Sequence, residues 1–406
     1  MLIKRDLLLQ KLIQYRDKDI VKVITGIRRC GKSVLLNEIY YSYLVADGVQ
    51  DDHIIRISFD MKRWEHLRTS DALYRYLCTA MAGKGPYYVF LDEIQLVEGF
   101  ESVVNDLAST RKADVYVTGS NSRLLSHDIS TLFRGRGIEI KVFPLSFAEY
   151  YAYRHGDKQD ALDAYIQFGG LPYVVQEPNE EEKRSYLDMV FRTTVLRDVI
   201  DRYNVRNPDL FISVAKFLCF AIGSPISASR IANTLRDSGF RSADNESVSR
   251  YLGYLLDAFL FYKADRYDLK GRQYLKTQSK YYVADIGLRN AATGYRQIEI
   301  THIMENLVYI ELLRRGYLVD IGKNREKEID FVARKLDGRL CYIQVSYSLR
   351  EETTKERELS AFRLLDDGYK KLVITLDRNP LQNLERGYLM LNLFDFLLDE
   401  HAIEHL

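Results

Sequence analysis

The sequence contains little cysteine and proline and no long apolar run. Its four cysteines lie far apart and form no CxxC pair, which argues against a structural zinc site or a disulfide framework and fits a reducing cytosol. Seven prolines and 23 glycines in 406 residues exclude collagen-like and proline-rich disordered proteins. The longest apolar stretch, residues 211–222, is interrupted by Lys216 and is too short to span a bilayer.

An excess of one charge sign is also missing. The 58 Lys and Arg residues and 57 Asp and Glu residues give a net charge of +1, which disfavours a globally basic nucleic-acid binder but leaves room for a local basic patch. The chain starts MLIKRD, without the apolar region of a signal peptide. We therefore expect a cytoplasmic protein with no membrane partner, and its length predicts two to four domains.

Short apolar runs alternate with helical patterns over residues 1–144, which we predict to form the first domain. Nearly continuous apolar strands between helices are typical of a parallel sheet covered on both faces, so we predict an α/β fold here. The predicted strands lie at residues 21–25, 54–59, 87–91, 115–118 and 138–143.

A phosphate-binding motif follows the first of these strands. Residues 26–33 read GIRRCGKS and match GxxxxGK[ST] between a strand and a helix, where backbone N–H groups and the helix dipole can face one anion. We expect ATP and Mg²⁺ as cofactors, with Lys32 acting on the β- and γ-phosphates and Ser33 binding the metal. The predicted cofactor-binding residues are Gly26, Ile27, Arg28, Arg29, Cys30, Gly31, Lys32, Ser33 and Val34.

Polar residues follow two further predicted strands. Asp92 and Glu93 follow the run at 87–91, and we predict that Asp92 holds the Mg²⁺ shell while Glu93 orients and deprotonates the attacking water. Ser120 and Asn121 follow the fourth strand and are candidates for sensing the γ-phosphate or positioning the water. A plain Gly-Ser-Asn turn is the alternative for these two residues.

A basic loop reads FRGRG at residues 133–137. Either Arg134 or Arg136 is a candidate catalytic arginine that acts on the nucleotide of a neighbouring subunit, which would require an oligomer. The alternative is a solvated turn.

Together these motifs resemble the AAA-type P-loop ATPases that open with GxRRxGKS and later carry LDEIQ, TGSNS, RGR and PLSFxEY. The matching segments here are 26–33, 91–95, 118–122, 134–136 and 144–150. The resemblance implies a P-loop sheet of the AAA/ASCE type. It also implies a C-terminal module with a nuclease-like core.

Three further domains are predicted after the first. Residues 145–205 are expected to form a helical lid-like subdomain, and residues 206–295 a winged helix of three helices and a hairpin. Arg250 on a helix of this domain, and Lys270 and Arg272 on its basic wing, are candidate contacts to duplex DNA. The alternative is that the winged helix only packs domains together.

Residues 296–406 are predicted to form a restriction-endonuclease-like α/β domain. Glu305 and Asp330 resemble acids of the PD-(D/E)xK pattern, but Gln344 stands at the second acid position and Ser346 at the lysine position. A neutral amide is a poor ligand for a hard cation, and the missing lysine removes a stabilising charge. We therefore predict a degenerate domain that does not cleave DNA; the alternative is that Lys355 replaces the lysine.

The sequence as a whole predicts a Mg²⁺-dependent ATPase. Its nucleotide state would control winged-helix and nuclease-like domains that engage DNA or a protein partner. Two alternatives remain open at this point, an ATP-dependent DNA nuclease and a non-enzymatic, nucleotide-gated switch that binds protein.

Overall fold

The computed structural model divides into two compact units. The first comprises Met1–Pro144 and Asp257–Phe259, and the second Leu145–Leu256 and Leu260–Leu406. Within the described residues no helix has the length and apolar character needed to cross a membrane. The described residues are 2–83, 85–119, 132–271, 273–296, 299–324, 327–378 and 384–405.

The first unit is built on a five-stranded sheet in which all neighbouring strands run parallel. The strand order is β2-β3-β4-β1-β5, so that β4 lies between β1 and β3. Every residue of β1 and β3 is buried, which explains their continuous apolar sequence and confirms the predicted parallel α/β sheet. The strands are β1 (Val21–Thr25), β2 (Ile54–Ser58), β3 (Tyr87–Asp92), β4 (Ala113–Gly119) and β5 (Gly137–Lys141).

Helices cover this sheet and bury an apolar core. Leu73, Leu77, Val104 and Leu107 lie in one buried cluster with strand residues such as Val89. Complete burial of each such side chain stabilises the fold by about 1.5–3 kcal/mol. The helices are α1 (Asp6–Tyr15), α2 (Lys32–Val34), α3 (Tyr41–Ala46), α4 (Ser70–Ala80) and α5 (Phe100–Thr110), with a π-helical turn (Leu35–Tyr40) that joins α2 to α3.

The second unit begins with helices whose ends are set by local sequence. Ser146 and Glu149 form a reciprocal capping box at the start of the first helix, which satisfies two backbone N–H groups. A π-helical segment (Val190–Arg197) joins α9 to α10. The helices up to residue 257 are α6 (Phe147–Arg154), α7 (Lys158–Phe168), α8 (Pro172–Gln176), α9 (Glu180–Met189), α10 (Asp198–Tyr203), α11 (Pro208–Phe220), α12 (Ala228–Asp237) and α13 (Asn245–Asp257).

A seven-stranded mixed sheet organises the rest of the second unit, with the order β12-β11-β10-β9-β8-β6-β7. The strands are β6 (Phe261–Asp268), β7 (Gln273–Val283), β8 (Leu318–Asn324), β9 (Lys327–Arg334), β10 (Leu340–Val345), β11 (Lys370–Thr375) and β12 (Leu389–Asn392). The remaining helices are α14 (Ile286–Ala292), α15 (Ile300–Arg314), α16 (Glu352–Phe362) and α17 (Leu393–Leu398).

The hairpin that the sequence predicts as a wing belongs to this same sheet. Strand β6 pairs antiparallel with β7 on one side and parallel with β8 on the other. The strands predicted as wing and as nuclease-like core therefore share one sheet across residue 295. The division of residues 145–406 into three domains stays a prediction, as does the winged-helix assignment.

Candidate functional site

The loop between β1 and α2 has the backbone that a phosphate cradle needs. Gly26, Arg29 and Gly31 have positive φ values of 147°, 70° and 100°. A Cβ at Gly26 would lie 2.0 Å from the carbonyl oxygen of Val142, so only glycine fits there. Gly31 stands at the N-cap of α2, and the loop therefore leads directly into the positive end of a helix.

Lys32 lies across this loop. Its side chain is buried, and Nζ donates hydrogen bonds to the carbonyl oxygens of Gly26 at 2.9 Å and Ile27 at 3.2 Å. Ser33 and Val34, in the first turn of α2, are exposed. The loop thus combines an ammonium group with a helix N-terminus, which suits a polyanion.

Hydrogen bonds from the Cys30 and Arg5 side chains hold the loop in place. Cys30 Sγ donates to the carbonyl oxygen of Val142 at 3.3 Å. Arg5 donates to the carbonyl oxygens of Cys30 and Phe143 at 3.2 and 2.8 Å. These contacts give Cys30 a structural place in the loop and keep the loop next to the end of β5.

Asp92 ends β3 on the same edge of the sheet and meets Ser33. The Thr118 hydroxyl donates a hydrogen bond to the Asp92 carboxylate, and the Ser33 hydroxyl lies close enough to lower the pKa of Asp92. Burial raises the pKa of Asp92, and the two hydroxyls only partly oppose that shift. A carboxylate that is 4% exposed and paired with a neutral hydroxyl of the loop helix is a suitable ligand set for a hard divalent cation.

Glu93 follows Asp92 but is turned away from it by an unusual backbone. Its φ of 54° is in the left-handed region, which costs a non-glycine residue roughly 1–3 kcal/mol. Its N–H donates to Thr118 Oγ1 at 3.0 Å, and its carboxylate accepts a hydrogen bond from Gln95. Thr118 therefore fixes both acidic residues at once.

Thr118 was not among the predicted site residues, although it lies in the TGSNS motif. It is fully buried near the end of β4, between the strands that carry the loop and Asp92. The available sequence signal was a hydroxyl residue at the end of the predicted fourth strand, whereas its place beside Asp92 depends on the strand order. Ser120 and Asn121, which were predicted, lie outside the described residues.

The two candidate arginines are at the other edge of the sheet. Arg134 and Arg136 are exposed and precede β5, and Val21 donates its N–H to the carbonyl oxygen of Arg136 at 2.6 Å. Val21 begins β1, whereas the phosphate loop follows its end. At about 3.3 Å per strand residue, the arginines are more than roughly 13 Å along the strand from their own loop.

In the second unit, the fold brings Glu305, Asp330 and Gln344 together. Asp330 N–H donates to Gln344 Oε1 at 2.7 Å, and Val345 N–H donates to Asp330 Oδ2 at 2.9 Å. Ser346 instead donates to the carbonyl oxygen of Ser348 at 3.2 Å.

Sequence reasoning missed Lys280, Glu328 and Glu358, which belong to the same cluster. Lys280 Nζ lies 2.7 Å from Glu305 Oε1, and Gln344 Nε2 donates to Glu358 Oε2 at 2.7 Å. Lys355, the alternative lysine, lies 3.4 Å from Glu352 on its own helix, and its replacement of the missing lysine stays a prediction.

Two of the three predicted DNA-contact residues lie within the described residues, and both are exposed. Arg250 is exposed on α13, 3.7 Å from Glu246, and Lys270 is exposed at the turn of the hairpin. Arg272 lies outside the described residues. Two other lysines of the hairpin are paired with acids: Lys280 is buried beside Glu305, and Lys263 lies 2.6 Å from Asp265.

Comparison with known proteins identifies two families along the chain. Residues 18–151 match an AAA domain, and residues 159–299 match a domain of unknown function (DUF8612). The first match spans the phosphate loop, Asp92, Glu93 and Thr118. It confirms the predicted AAA-type P-loop domain, whose fold binds nucleotide with a divalent metal.

Two relatives match most of the chain. A protein of Haemophilus influenzae named "Uncharacterized protein" is 40% identical over 380 residues, which cover 92% of this chain and 93% of the relative. "Uncharacterized protein MJ1544" of Methanocaldococcus jannaschii is 31% identical over 362 residues, which cover 84% of this chain and 78% of the relative. The chain belongs to one family with these two proteins. Their names assign no activity to the family.

Solved structures give weaker likenesses. The Walker-type ATPase PABY2304 of Pyrococcus abyssi aligns over 72% of this chain and 96% of its own, with 14% identity and a TM-score of 0.47. The ORC1 protein of Aeropyrum pernix, solved in complex with DNA, covers 72% of this chain and 93% of its own, with 14% identity and a TM-score of 0.31. At these values neither likeness carries a conclusion about activity or partners.

Proposed function

We propose that this protein is a Mg²⁺-dependent ATPase whose first unit hydrolyses ATP. The observation that carries the proposal is the meeting of Lys32, Ser33, Asp92 and Glu93 at one edge of a parallel sheet. These side chains come from two different strand ends, and a separate acid stands next to the acid that faces the loop. A site that only held a nucleotide would not need that second acid.

The residues present fit ATP and Mg²⁺. The backbone of residues 26–31 and the first turn of α2 would hold the phosphates, with Lys32 as the positive side chain. Ser33 and Asp92 would hold the metal, because the Ser33 hydroxyl already lies beside the buried Asp92 carboxylate. Bound Mg²⁺ would neutralise part of the phosphate charge that develops during transfer.

Glu93 is the residue that we assign to the attacking water. Its carboxylate would orient this water and accept its proton as the bond to phosphorus forms. The strained φ at Glu93 supports this assignment, since backbone strain of this kind is common at functional sites. Thr118 acts through Asp92 and Glu93 and is therefore a positioning residue.

We further propose that the protein acts as an oligomer in which Arg134 or Arg136 serves a neighbouring subunit. Both side chains are exposed and stand at the edge of the sheet away from their own loop. An arginine supplied by another chain can stabilise charge on the transferred phosphate. Ser120 and Asn121 stay predictions for sensing the γ-phosphate.

We propose that the nucleotide bound in the first unit controls how the second unit engages its partner. Arg250 and Lys270 support duplex DNA as its partner, since both are exposed cations near the predicted recognition elements. A protein partner is the alternative outcome. Nuclease activity is not part of the proposal, because the Gln344 amide oxygen already accepts a backbone hydrogen bond.

Two variants of the full chain test the ATPase proposal. We expect Lys32→Ala to abolish binding of a fluorescent ATP analogue, because it removes charge from the ground-state phosphates. We expect Glu93→Gln to bind the analogue normally but to lose phosphate release, because it changes only the water's partner. Lys62→Ala, at an exposed lysine of the same unit, is the matched control.

Phosphate release is measured with and without duplex DNA at low and high salt. Stimulation by DNA that falls with salt and with Lys270→Gln would support the DNA partner. Absence of any DNA effect at low salt would favour a protein partner.

Hydrolysis by Glu93→Gln at the parent rate would contradict the role assigned to Glu93.

A further inference from the structure

We propose that the Lys280 ammonium is the permanent internal cation of an acidic cluster formed by Glu305, Glu328 and Asp330. The consequence is that this cluster takes no divalent metal. The inference concerns the second unit and is independent of the proposed ATPase activity.

The geometry places the Lys280 ammonium among three acids. Lys280 Nζ is 2.7 Å from Glu305 Oε1, 2.9 Å from Glu328 Oε1 and 3.7 Å from Asp330 Oδ1. The Lys280 side chain is only 4% exposed, so its charge is screened little by water. The ammonium stands where a metal ion would have to lie in order to touch all three carboxylates.

Other donors also reach oxygen atoms of the cluster. Tyr282 donates its hydroxyl to Glu305 Oε1 at 2.6 Å, and Arg266 donates to Glu328 Oε2 at 3.5 Å. Asp330 Oδ2 accepts the N–H of Val345. A metal would therefore have to displace Lys280 and to compete with these donors.

Gln344 closes the remaining side of the cluster. Its amide oxygen accepts the N–H of Asp330, and its amide nitrogen donates to Glu358. An amide satisfies both of these neighbours at once, whereas a carboxylate there would face Glu358 with no proton between them. Glutamine at this position thus fits a cluster that is complete without a metal.

The electrostatics agree with this geometry. Burial raises the pKa of Asp330 to about 8, with Glu305 adding to the shift, so that this carboxyl holds its proton at neutral pH. Burial alone would raise the pKa of Glu305, but Lys280 and its hydrogen bonds hold it below its usual value. The Lys280 ammonium, together with Arg266 on Glu328, therefore balances the carboxylates that stay charged.

The cluster also has a structural consequence. Lys280 belongs to β7, Glu305 to α15, and Glu328 and Asp330 to β9. Lys280 and Glu305 are 25 residues apart in the chain, and the lysine therefore links the hairpin to the helix and to β9. A buried cation that is left without its acids, or acids without their cation, is strongly destabilising.

Mn²⁺ binding to the full chain tests the proposal, with stoichiometry read from electron paramagnetic resonance in the absence of nucleotide. We expect the single variants Asp330→Asn and Glu328→Gln to bind the same number of Mn²⁺ ions as the parent protein. We expect Lys280→Met to bind one additional Mn²⁺ per chain, and the double variant Lys280→Met/Asp330→Asn to lose it. Lys263→Met, on the same hairpin, is the control.

The unfolding midpoint gives a second readout. Lys280→Met should lower it by more than about 5 °C in metal-free buffer, and Mn²⁺ should restore part of that loss. Loss of a bound Mn²⁺ from the parent protein on Asp330→Asn would overturn the proposal. A folded Lys280→Met protein that gains no Mn²⁺ would also overturn it. If that variant does not fold, the comparison of the parent protein with Asp330→Asn and Glu328→Gln decides.

Discussion

Both units bury carboxylates, but they differ in where the balancing positive charge comes from. In the first unit, Asp92 is met by the hydroxyls of Ser33 and Thr118, and the nearby Lys32 donates to backbone carbonyl oxygens instead. In the second unit, the Lys280 ammonium contacts Glu305 and its neighbours directly.

This difference separates a site that binds a ligand from one that holds a fold together. A buried anion needs a partner, and hydroxyl groups satisfy its hydrogen bonds without neutralising its charge. Asp92 can therefore bind a cation from solution, whereas the negative charge of the cluster around Lys280 is already partly neutralised. Acidic residues in a motif look the same in both cases, and only the neighbouring cation distinguishes them.

The sharpest way to break this comparison is to neutralise one acid in each unit. We expect Asp92→Asn to reduce phosphate release to the level of Lys32→Ala, because an amide is a weak Mg²⁺ ligand. Its stability in urea should stay close to the parent value, because the amide oxygen can still accept from Thr118.

Glu305→Gln should lower the stability of the chain but leave phosphate release nearly unchanged. It leaves Lys280 with less negative charge, so we expect a loss of roughly 3–5 kcal/mol in the free energy of unfolding. Basal phosphate release at a temperature where the variant is folded should stay within about twofold. The comparison fails if Asp92→Asn unfolds the chain or if Glu305→Gln leaves its stability unchanged.

Much of the first unit could be predicted because the relevant signals are local. Buried parallel strands carry continuous apolar runs, and the loop motif of residues 26–33 includes its own glycines. The position of Thr118 next to Asp92 could not be derived this way. It depends on β4 lying between β1 and β3, which is a pairing between distant segments.

The second unit was harder to predict for the same reason. Lys280 sits in a strand with polar neighbours at residues 276–279, and its local sequence resembles an exposed basic wing. Its burial is set by α15 and β9, which are distant in sequence. Strand β12 was missed because four residues give too short a pattern to stand out.

The next prediction asks whether an arginine of a neighbouring chain acts at the nucleotide site of the first unit. We expect the double variant Arg134→Ala/Arg136→Ala to bind ATP normally and to release phosphate roughly 10³-fold more slowly. Chains that carry this double variant have intact loops, and Lys32→Ala chains have intact arginines.

Co-expression of these two variants is the test of action in trans. An intact loop placed beside an intact arginine should restore part of the activity in the mixed assemblies. If mixed assemblies form, as shown by two different affinity tags, and no activity returns, the arginines act within their own chain or not at all.

The smallest expected effect concerns Thr118, which fixes the geometry of the first site without touching the phosphate. Thr118→Val keeps the shape of the side chain but leaves the Asp92 carboxylate without one donor and the N–H of Glu93 without its acceptor. A buried polar group left unpaired costs about 1–3 kcal/mol, so we expect a loss of that size in stability. We also expect a kcat about tenfold lower with little change in the KM for ATP. Thr118→Ser restores the hydroxyl without the methyl group and should recover most of the turnover. If the serine variant is as slow as the valine variant, packing of the methyl group rather than the two hydrogen bonds explains the role of Thr118.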